Sequence, residues 1–146
     1  NVVGPFQMIR AAAPALRASG AGSVVNISST SAVTGSGSSV AYVASKGALN
    51  TMTMSLARVL APEIRVNGVM PGFTTTPWHS KGMKPETVDF VTEHFTKTSP
   101  LKAATGPDDV ADAVLWFVEG ASKVTGQIVT VDSGNHLHVN SPPRRS

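Results

Sequence analysis

Tyr42 and Lys46 are the residues of this sequence whose types and spacing most directly suggest chemistry. They stand four positions apart in the run Ala-Tyr-Val-Ala-Ser-Lys at 41–46. On a helix, residues four apart share one face, with Cβ atoms roughly 5–6 Å apart. A phenol beside an ammonium is a candidate proton donor or acceptor, because the cation favours the charged form of the phenol. The spacing alone favours an ordinary amphipathic helix, since any helix can carry such a pair.

Short apolar runs and longer periodic segments predict the elements that position this pair. Strands are expected at 23–27, 64–70 and 127–131, and helices at 1–18, 41–60, 85–97 and 107–118. Alternation of strands with helices predicts an α/β fold with a parallel sheet. The first strand is expected to be buried on both faces. The Asn67-Gly68 pair is also typical of a hairpin turn, but its short flanks disfavour a hairpin.

Length and composition limit the classes of function. The chain has 146 residues, of which 41% are hydrophobic and 14% charged, which suits one packed domain. It contains no cysteine, which excludes disulfides, thiol nucleophiles and cysteine zinc sites. The net charge is +3, but the Lys and Arg residues are not clustered with interleaved aromatic residues, so no nucleic-acid partner is expected. No apolar stretch suits a membrane span, so a cytoplasmic protein without a membrane partner is expected.

A serine lies where it would meet the Tyr42–Lys46 pair. Ser29 ends the first predicted strand at its carboxyl edge, where ligands bind in open α/β sheets. Tyr42 follows thirteen residues later and Lys46 one helical turn after that. By itself Ser29 is better explained as a simple strand-end cap, but its place before this pair makes a shared site the stronger interpretation.

Together these residues resemble the short-chain dehydrogenase/reductase family, whose hallmark is a Ser followed by Tyr-x-x-x-Lys. The resemblance covers residues 1 to about 138 and is closest to the 3-oxoacyl-carrier-protein reductase-like branch. Four segments match in order: 25–29, 41–46, Arg-Val-Asn at 65–67 leading to Pro-Gly at 71–72, and Val-Thr-Gly-Gln at 124–127 leading to Val-Asp at 131–132.

The resemblance implies four catalytic residues. Tyr42 would be the general acid/base that protonates a substrate carbonyl or removes the hydroxyl proton of an alcohol. Ser29 would hydrogen-bond the same oxygen, and Lys46 would hold the nicotinamide ribose. Asn1 resembles the family's fourth catalytic residue, which holds a water in the proton relay. The cofactor would be NAD or NADP, whose reduced form supplies the hydride, so Tyr42 and Lys46 would also contact the cofactor.

A second cofactor segment is implied at residues 71–76, which fit the family's Pro-Gly-x-x-x-Thr. Pro71 and Gly72 would open it. The backbone near Thr74 and the hydroxyl of Thr76 would meet the nicotinamide carboxamide and phosphates. A less favoured alternative is that Thr76 caps a helix beginning near Pro77.

The segment 73–100 has the character of a lid or insertion. Its larger side chains either line a substrate pocket or pack the lid internally, and the sequence leaves both interpretations open: Trp78, His79, Met83, Phe90 and Phe95. Beyond it, His136 and His138 alternate as metal ligands do. With no third ligand nearby, no metal site is expected.

The family's dinucleotide site lies on two βα units that have no counterpart in this sequence. The resemblance therefore identifies residues 1–138 as the C-terminal part of a Rossmann-type, doubly wound parallel sheet, namely its last three strands with flanking helices. Residues 139–146 are expected to be a disordered tail. The residue that selects NAD or NADP lies among the missing units.

The expected function is an NAD(P)-dependent oxidoreductase that interconverts a carbonyl and a secondary alcohol, present here as a fragment that is inactive alone. Its full-length form is expected to be a homo-oligomer acting on a small molecule. One alternative is a catalytically inactive relic that serves as an interaction module. A serine hydrolase is a third possibility, disfavoured because the sequence lacks a Gly-x-Ser-x-Gly elbow.

Overall fold

Strands and helices alternate along the residues that the structure, a computed structural model, describes: 1–76 and 84–137. The elements are α1 (Val3–Ala18), β1 (Gly22–Ile27), α2 (Ser31–Thr34), α3 (Val40–Leu60), β2 (Ile64–Pro71), α4 (Pro85–Thr98), α5 (Pro107–Leu115) and β3 (Ile128–Val131). A π-helical turn, Trp116–Gly120, continues α5, and a 3₁₀ turn, Asn135–Leu137, follows β3. Each predicted strand and helix is present, and α2 is the additional element. The expected tail at 139–146 lies outside the described residues.

The three strands form one parallel sheet in the order β1-β2-β3. Asn26 of β1 is in register with Gly68 of β2, which is in register with Ile128 of β3. The α/β fold with a parallel sheet is therefore confirmed.

The strand predicted at 64–70 is confirmed over the disfavoured hairpin, because Asn67 and Gly68 both lie inside the central strand β2. The Asn67 side chain is fully buried, donates to the Val124 carbonyl at 2.9 Å and accepts from the Gln127 N–H at 3.1 Å. Gly68 lies close to β3, since a Cβ there would come within 3.2 Å of the Ile128 side chain. Asn67 therefore ties residues 124–127, which lead into β3, to the central strand.

β1 is less buried than the sequence predicted. On the central strand, Ile64, Val66 and Val69 are completely buried, whereas Ile27 on β1 is 44% exposed. The difference arises because β1 is an edge strand: among the described residues, β2 is its only neighbour in the sheet. The prediction that β1 is buried on both faces is therefore wrong.

Helices cover both faces of the sheet. On one face α1 and α3 pack against the central strand, with a core of Ile9, Ala13, Ala57, Leu60, Ile64 and Val66. On the other face the turn that continues α5 packs Phe117 and Ala121 against Val69. Phe117 is completely buried, and burial of such a side chain stabilises a fold by about 1.5–3 kcal/mol. Two covered faces are what a doubly wound sheet requires. Among the described residues no helix is long and apolar enough to cross a membrane.

Candidate active site

The first turn of α3 sets the position of Tyr42. Ser39 precedes the helix in an extended conformation, and its Oγ accepts the Tyr42 backbone N–H at 3.1 Å. Such an N-cap stabilises a helix by about 0.5–2 kcal/mol. Further along α3, the buried Thr53 hydroxyl accepts from the Asn26 side chain of β1 at 2.9 Å. The cap and this buried bond together fix the rotation of α3 against the sheet.

Lys46 is drawn into the protein beside Tyr42. It is only 9% exposed, and its Nζ donates to the Ile27 carbonyl at 2.8 Å. The same Nζ lies 5.8 Å from the centroid of the Tyr42 ring. Burial lowers the pKa of Lys46, because the charged ammonium loses hydration inside the protein. The structure therefore brings together the phenol and the ammonium that the sequence paired.

Ser28 and Ser29 follow β1 at its carboxyl end. The buried Ser28 hydroxyl donates to the Lys46 carbonyl at 3.4 Å, which ties β1 to α3. The half-buried Ser29 Oγ accepts the Ser31 backbone N–H at 3.2 Å, where α2 begins. A hydroxyl has two lone pairs and one proton, so this bond leaves the Ser29 proton available to an acceptor in the site.

Asn1 reaches the same helical turn through a residue that sequence reasoning missed. Its Nδ2 donates to Ser45 Oγ at 3.0 Å, and Ser45 Oγ donates to the Tyr42 carbonyl at 2.7 Å. The position of Ser45, three residues after Tyr42 and on the same side of the helix, was the available signal. Asn1 therefore lies one side chain away from the backbone of Tyr42.

Residues 71–76 leave the carboxyl end of β2 next to this cluster. The Pro71 carbonyl accepts from the Thr30 N–H at 2.9 Å, and the Gly72 N–H donates to Val131 O at 3.0 Å. Thr74 Oγ1 donates to the Gly72 carbonyl at 3.3 Å. Thr76 is half-buried, and the alternative helix beginning near Pro77 lies outside the described residues. The segment predicted to hold a cofactor is thus held between the ends of β1 and β3.

Asp132 organises the turn that faces Gly72, a role sequence reasoning did not assign. The buried carboxylate accepts from the Gly134 N–H at 3.0 Å and the His136 N–H at 2.7 Å. His136 Nδ1 also lies 2.8 Å from Asp132 Oδ1. Over residues 1–76 and 84–137, no cluster of three or more His, Cys, Asp or Glu side chains is suited to a metal ion. His138 lies outside those residues.

Two aromatic rings connect α4 to the same segment. Phe95 of α4 stacks on Phe73, with ring centroids 4.8 Å apart and planes 6° apart. Phe90, by contrast, is 70% exposed. For Phe95 the stack favours internal packing. Three other members of the proposed lid lie outside the described residues: Trp78, His79 and Met83.

A family model described as enoyl-(acyl carrier protein) reductase matches residues 1–136. YusR, a short-chain dehydrogenase/reductase homolog from Bacillus subtilis, is 40% identical over 134 residues, which are 92% of this chain and 98% of YusR. Seven other curated relatives are 33–43% identical, and the chain spans about half the length of each, 50–55%.

Two solved structures give the same picture. A Brucella melitensis 3-oxoacyl-[acyl-carrier protein] reductase with bound NAD is 36% identical, with a TM-score of 0.77 over 92% of this chain and 48% of that protein. A small-chain dehydrogenase in complex with NADPH is 30% identical, with a TM-score of 0.74 over 81% of this chain and 52% of that one.

Proposed function

The chain belongs to the short-chain dehydrogenase/reductase family, and we propose that it forms the acid/base half of an NAD(P)-dependent oxidoreductase that interconverts a carbonyl and a secondary alcohol. One observation carries this proposal. The Tyr42 phenol and the buried Lys46 ammonium stand together at the carboxyl edge of a parallel sheet, the edge where ligands bind in such folds. Ser29 follows β1 at the same edge.

Tyr42 is the proton donor in carbonyl reduction and the proton acceptor in alcohol oxidation. The Lys46 ammonium stabilises the phenolate left after the proton is given, because a cation buried near an anion is less screened than in water. Ser29 donates its free hydroxyl proton to the same substrate oxygen and holds it near the phenol. Two donors aimed at one oxygen stabilise the negative charge that develops there.

Asn1 has a supporting role in this scheme. Its side chain is anchored through Ser45 to the turn of α3 that carries Tyr42. We place the relay water of the family beside Asn1, where it would pass protons between Lys46 and solvent.

The residues present fit a nicotinamide cofactor. An ammonium has three N–H donors, and one of those on Lys46 is bonded to the Ile27 carbonyl. Two donors therefore remain for the hydroxyls of a ribose. Residues 71–76, and within them Gly72, Thr74 and Thr76, would hold the nicotinamide end. The two solved neighbours hold NADPH and NAD; the reduced cofactor would supply the hydride to a carbonyl, and the oxidised cofactor would accept it from an alcohol.

This sequence has no counterpart of the glycine-rich turn that usually binds the cofactor pyrophosphate. We therefore propose that residues 1–138 are the C-terminal part of a Rossmann domain and that the chain has no reductase activity alone. The complete enzyme is proposed to be a cytoplasmic homo-oligomer. Its oligomer contacts would use α1 and α3, because α1 leaves large apolar side chains exposed, among them Phe6 at 45% and Met8 at 71%.

A second candidate function is a noncatalytic interaction module. The comparison with YusR favours it, since 98% of that relative is matched and little of it lies outside the shared region. The two functions differ in one measurable respect: only the enzyme needs the phenol of Tyr42.

A chimera tests the proposal. In this chimera the chain replaces the 48% of the Brucella reductase that it matches. The assay measures NADPH- or NADH-dependent reduction of a 3-oxoacyl thioester and of a panel of ketones. In an active chimera, Tyr42→Phe is expected to lower turnover by about 10²–10⁴-fold, the usual contribution of a general acid/base, with nearly unchanged cofactor affinity.

Thr51→Ala is the matched control, because it also removes one hydroxyl from α3. That hydroxyl is exposed and, among the described residues, bonds only to the Gly47 carbonyl at 3.3 Å. Turnover of this variant should stay close to that of the unmodified chimera. Turnover of the Tyr42→Phe chimera within a few-fold of the parent would overturn the assignment of Tyr42. A chimera that binds cofactor but reduces nothing would favour the interaction module.

A further inference from the structure

The Ser45 hydroxyl lies between the Asn1 side chain and the backbone of Tyr42. Its Oγ is 3.0 Å from Asn1 Nδ2 and 2.7 Å from the Tyr42 carbonyl oxygen. Ser45 itself is half-buried, and Asn1 lies 44 positions away in the chain. The two contacts therefore join the segment before α1 to the turn of α3 that carries the phenol.

The single proton of Ser45 can serve only one of these two partners. A hydroxyl has one O–H donor and two lone pairs, whereas a backbone carbonyl can only accept. Two oxygens 2.7 Å apart need a proton between them, so the Ser45 proton lies on the Tyr42 carbonyl. Towards Asn1, Ser45 is thus an acceptor. Only the nitrogen of an amide side chain donates, so Nδ2 and not Oδ1 must face Ser45.

The direction of this bond decides which end of the Asn1 amide meets water. With Nδ2 on Ser45, Oδ1 lies on the opposite side of the planar amide, and Asn1 is exposed. An amide oxygen holds a water by accepting one of its protons, which leaves the lone pairs of the water for the Lys46 ammonium. An amide nitrogen in the same place would donate to the water and occupy a lone pair that Lys46 needs.

We infer that Ser45 is a positioning residue, which holds the Asn1 amide with its oxygen towards the relay water. Each carbonyl reduction leaves a phenolate at Tyr42, and one proton must enter from solvent by way of the water and Lys46 to restore the phenol. Ser45 acts on this transfer through Asn1 alone. The relay rests on the proposed function, whereas the orientation of the amide rests on the two contacts of Ser45.

Nuclear magnetic resonance tests the orientation without any activity. In the ¹⁵N-labelled chain, the Nδ2 protons of Asn1 are expected to show a nuclear Overhauser contact with the Ser45 side chain. Ser45→Ala should move the Asn1 side-chain amide resonance by more than its line width, because the acceptor is lost. Thr51→Ala is the matched control. Its hydroxyl also bonds to a carbonyl of α3, that of Gly47 at 3.3 Å, and this variant should leave the Asn1 resonance in place.

The active chimera tests the consequence for proton transfer. Ser45→Ala is expected to lower turnover by about 2–10-fold, the effect of losing one hydrogen bond, with KM and cofactor affinity nearly unchanged. Imidazole added at constant pH and ionic strength should raise this turnover again, because a small proton donor can replace the relay. Ser45→Thr keeps the hydroxyl and should restore turnover. Thr51→Ala should leave turnover unchanged and independent of imidazole.

Asn1→Asp tests the same polarity with Ser45 in place. It puts a carboxylate oxygen opposite the lone pairs of Ser45, so the bond is lost while an acceptor still faces the water. Turnover should fall at least as far as in Ser45→Ala. This variant decides the question if Ser45→Ala does not fold.

An Asn1 amide resonance that Ser45→Ala leaves unmoved would overturn the inference, whatever the activity. So would unchanged turnover in Ser45→Ala or Asn1→Asp, or a loss in Ser45→Ala that neither imidazole nor Ser45→Thr repairs. If Tyr42→Phe keeps its turnover, the proposed function falls, and the Asn1 resonance still decides the orientation of the amide. If Tyr42→Phe behaves as expected and Ser45→Ala has no effect, only this inference falls.

Discussion

Replacing Gly72 with alanine tests how closely the site segment is held against the turn after β3. A Cβ on Gly72 would stand 2.5 Å from Asp132 Cβ and 3.3 Å from Asp132 Cα. Carbon atoms in contact prefer about 3.5–4.0 Å, so the two segments would have to separate by about 1 Å. Relief by a side-chain rotation is not available, because a Cβ moves only with its backbone.

Asp132 is not free to move. Its carboxylate holds the N–H groups of Gly134 and His136, and the preceding residue, Val131, accepts from the Gly72 N–H at 3.0 Å. Each of these bonds contributes about 0.5–1.5 kcal/mol, and overpacking itself costs about 1–3 kcal/mol. Gly72→Ala is therefore expected to lower the free energy of unfolding by about 2–4 kcal/mol. With a urea slope of about 2 kcal/mol/M, the midpoint should fall by about 1–2 M.

Urea unfolding followed by circular dichroism measures this change. Gly47→Ala is the matched control within α3, since its Cβ would meet only the Ala32 carbonyl at 3.7 Å. That variant should raise stability by about 0.5–1 kcal/mol, because alanine loses less backbone freedom than glycine inside a helix. If the urea midpoint of Gly72→Ala lay within roughly 0.2 M of that of the unmodified chain, about the precision of the measurement, the predicted clash with Asp132 would be refuted.

Two further predictions concern buried or capped charges. Arg65→Met should lower the free energy of unfolding by about 2–4 kcal/mol, because the guanidinium donates to the carbonyls of Phe117 at 2.7 Å and Ala121 at 2.9 Å. Urea unfolding measures this change beside the exposed control Arg58→Met. Equal midpoints for the two variants would contradict the prediction. Burial lowers the folded-state pKa of Lys46, so the unfolded chain binds more protons between that pKa and the ordinary lysine value of 10.5, and stability should rise with pH in that window. The free energy of unfolding is measured from pH 7 to 10 for the unmodified chain and for Lys46→Met. The stability of the unmodified chain relative to this variant should rise with pH, and a relative stability that falls with pH would contradict the prediction.

Local pattern was sufficient for much of the fold. The apolar runs at 64–70 and 127–131 became β2 and β3, and the periodic segments became helices within a few residues. The β1 prediction failed in one respect, its burial, because an apolar run does not reveal whether a strand is central or at an edge. The Asn67-Gly68 pair shows the same limit: its turn propensity yields to pairing on both sides of β2 and to the amide bonds of Asn67.

The site divides in a similar way. Residue type and spacing predicted Tyr42 and Lys46 on one helical face, and the structure shows the Lys46 Nζ 5.8 Å from the Tyr42 ring centroid, because four residues on a helix are local geometry. The role of Ser29 stays a prediction. The bond from Asn1 to Ser45 and the contact between Gly72 and Asp132 were not predicted, because these partners lie 44 and 60 positions apart in the chain.

By itself, then, the sequence determined the family, the alternation of strands and helices, and a phenol and an ammonium on one helical face. The elements and the helical face depend on neighbours a few residues apart, and the family on short segments that match in order along the chain. Only the tertiary structure decided that β1 is the open edge, that the Lys46 ammonium is buried on the Ile27 carbonyl, and that Gly72 leaves no room beside Asp132. These features depend on which distant segments meet, and packing of the whole sheet determines that.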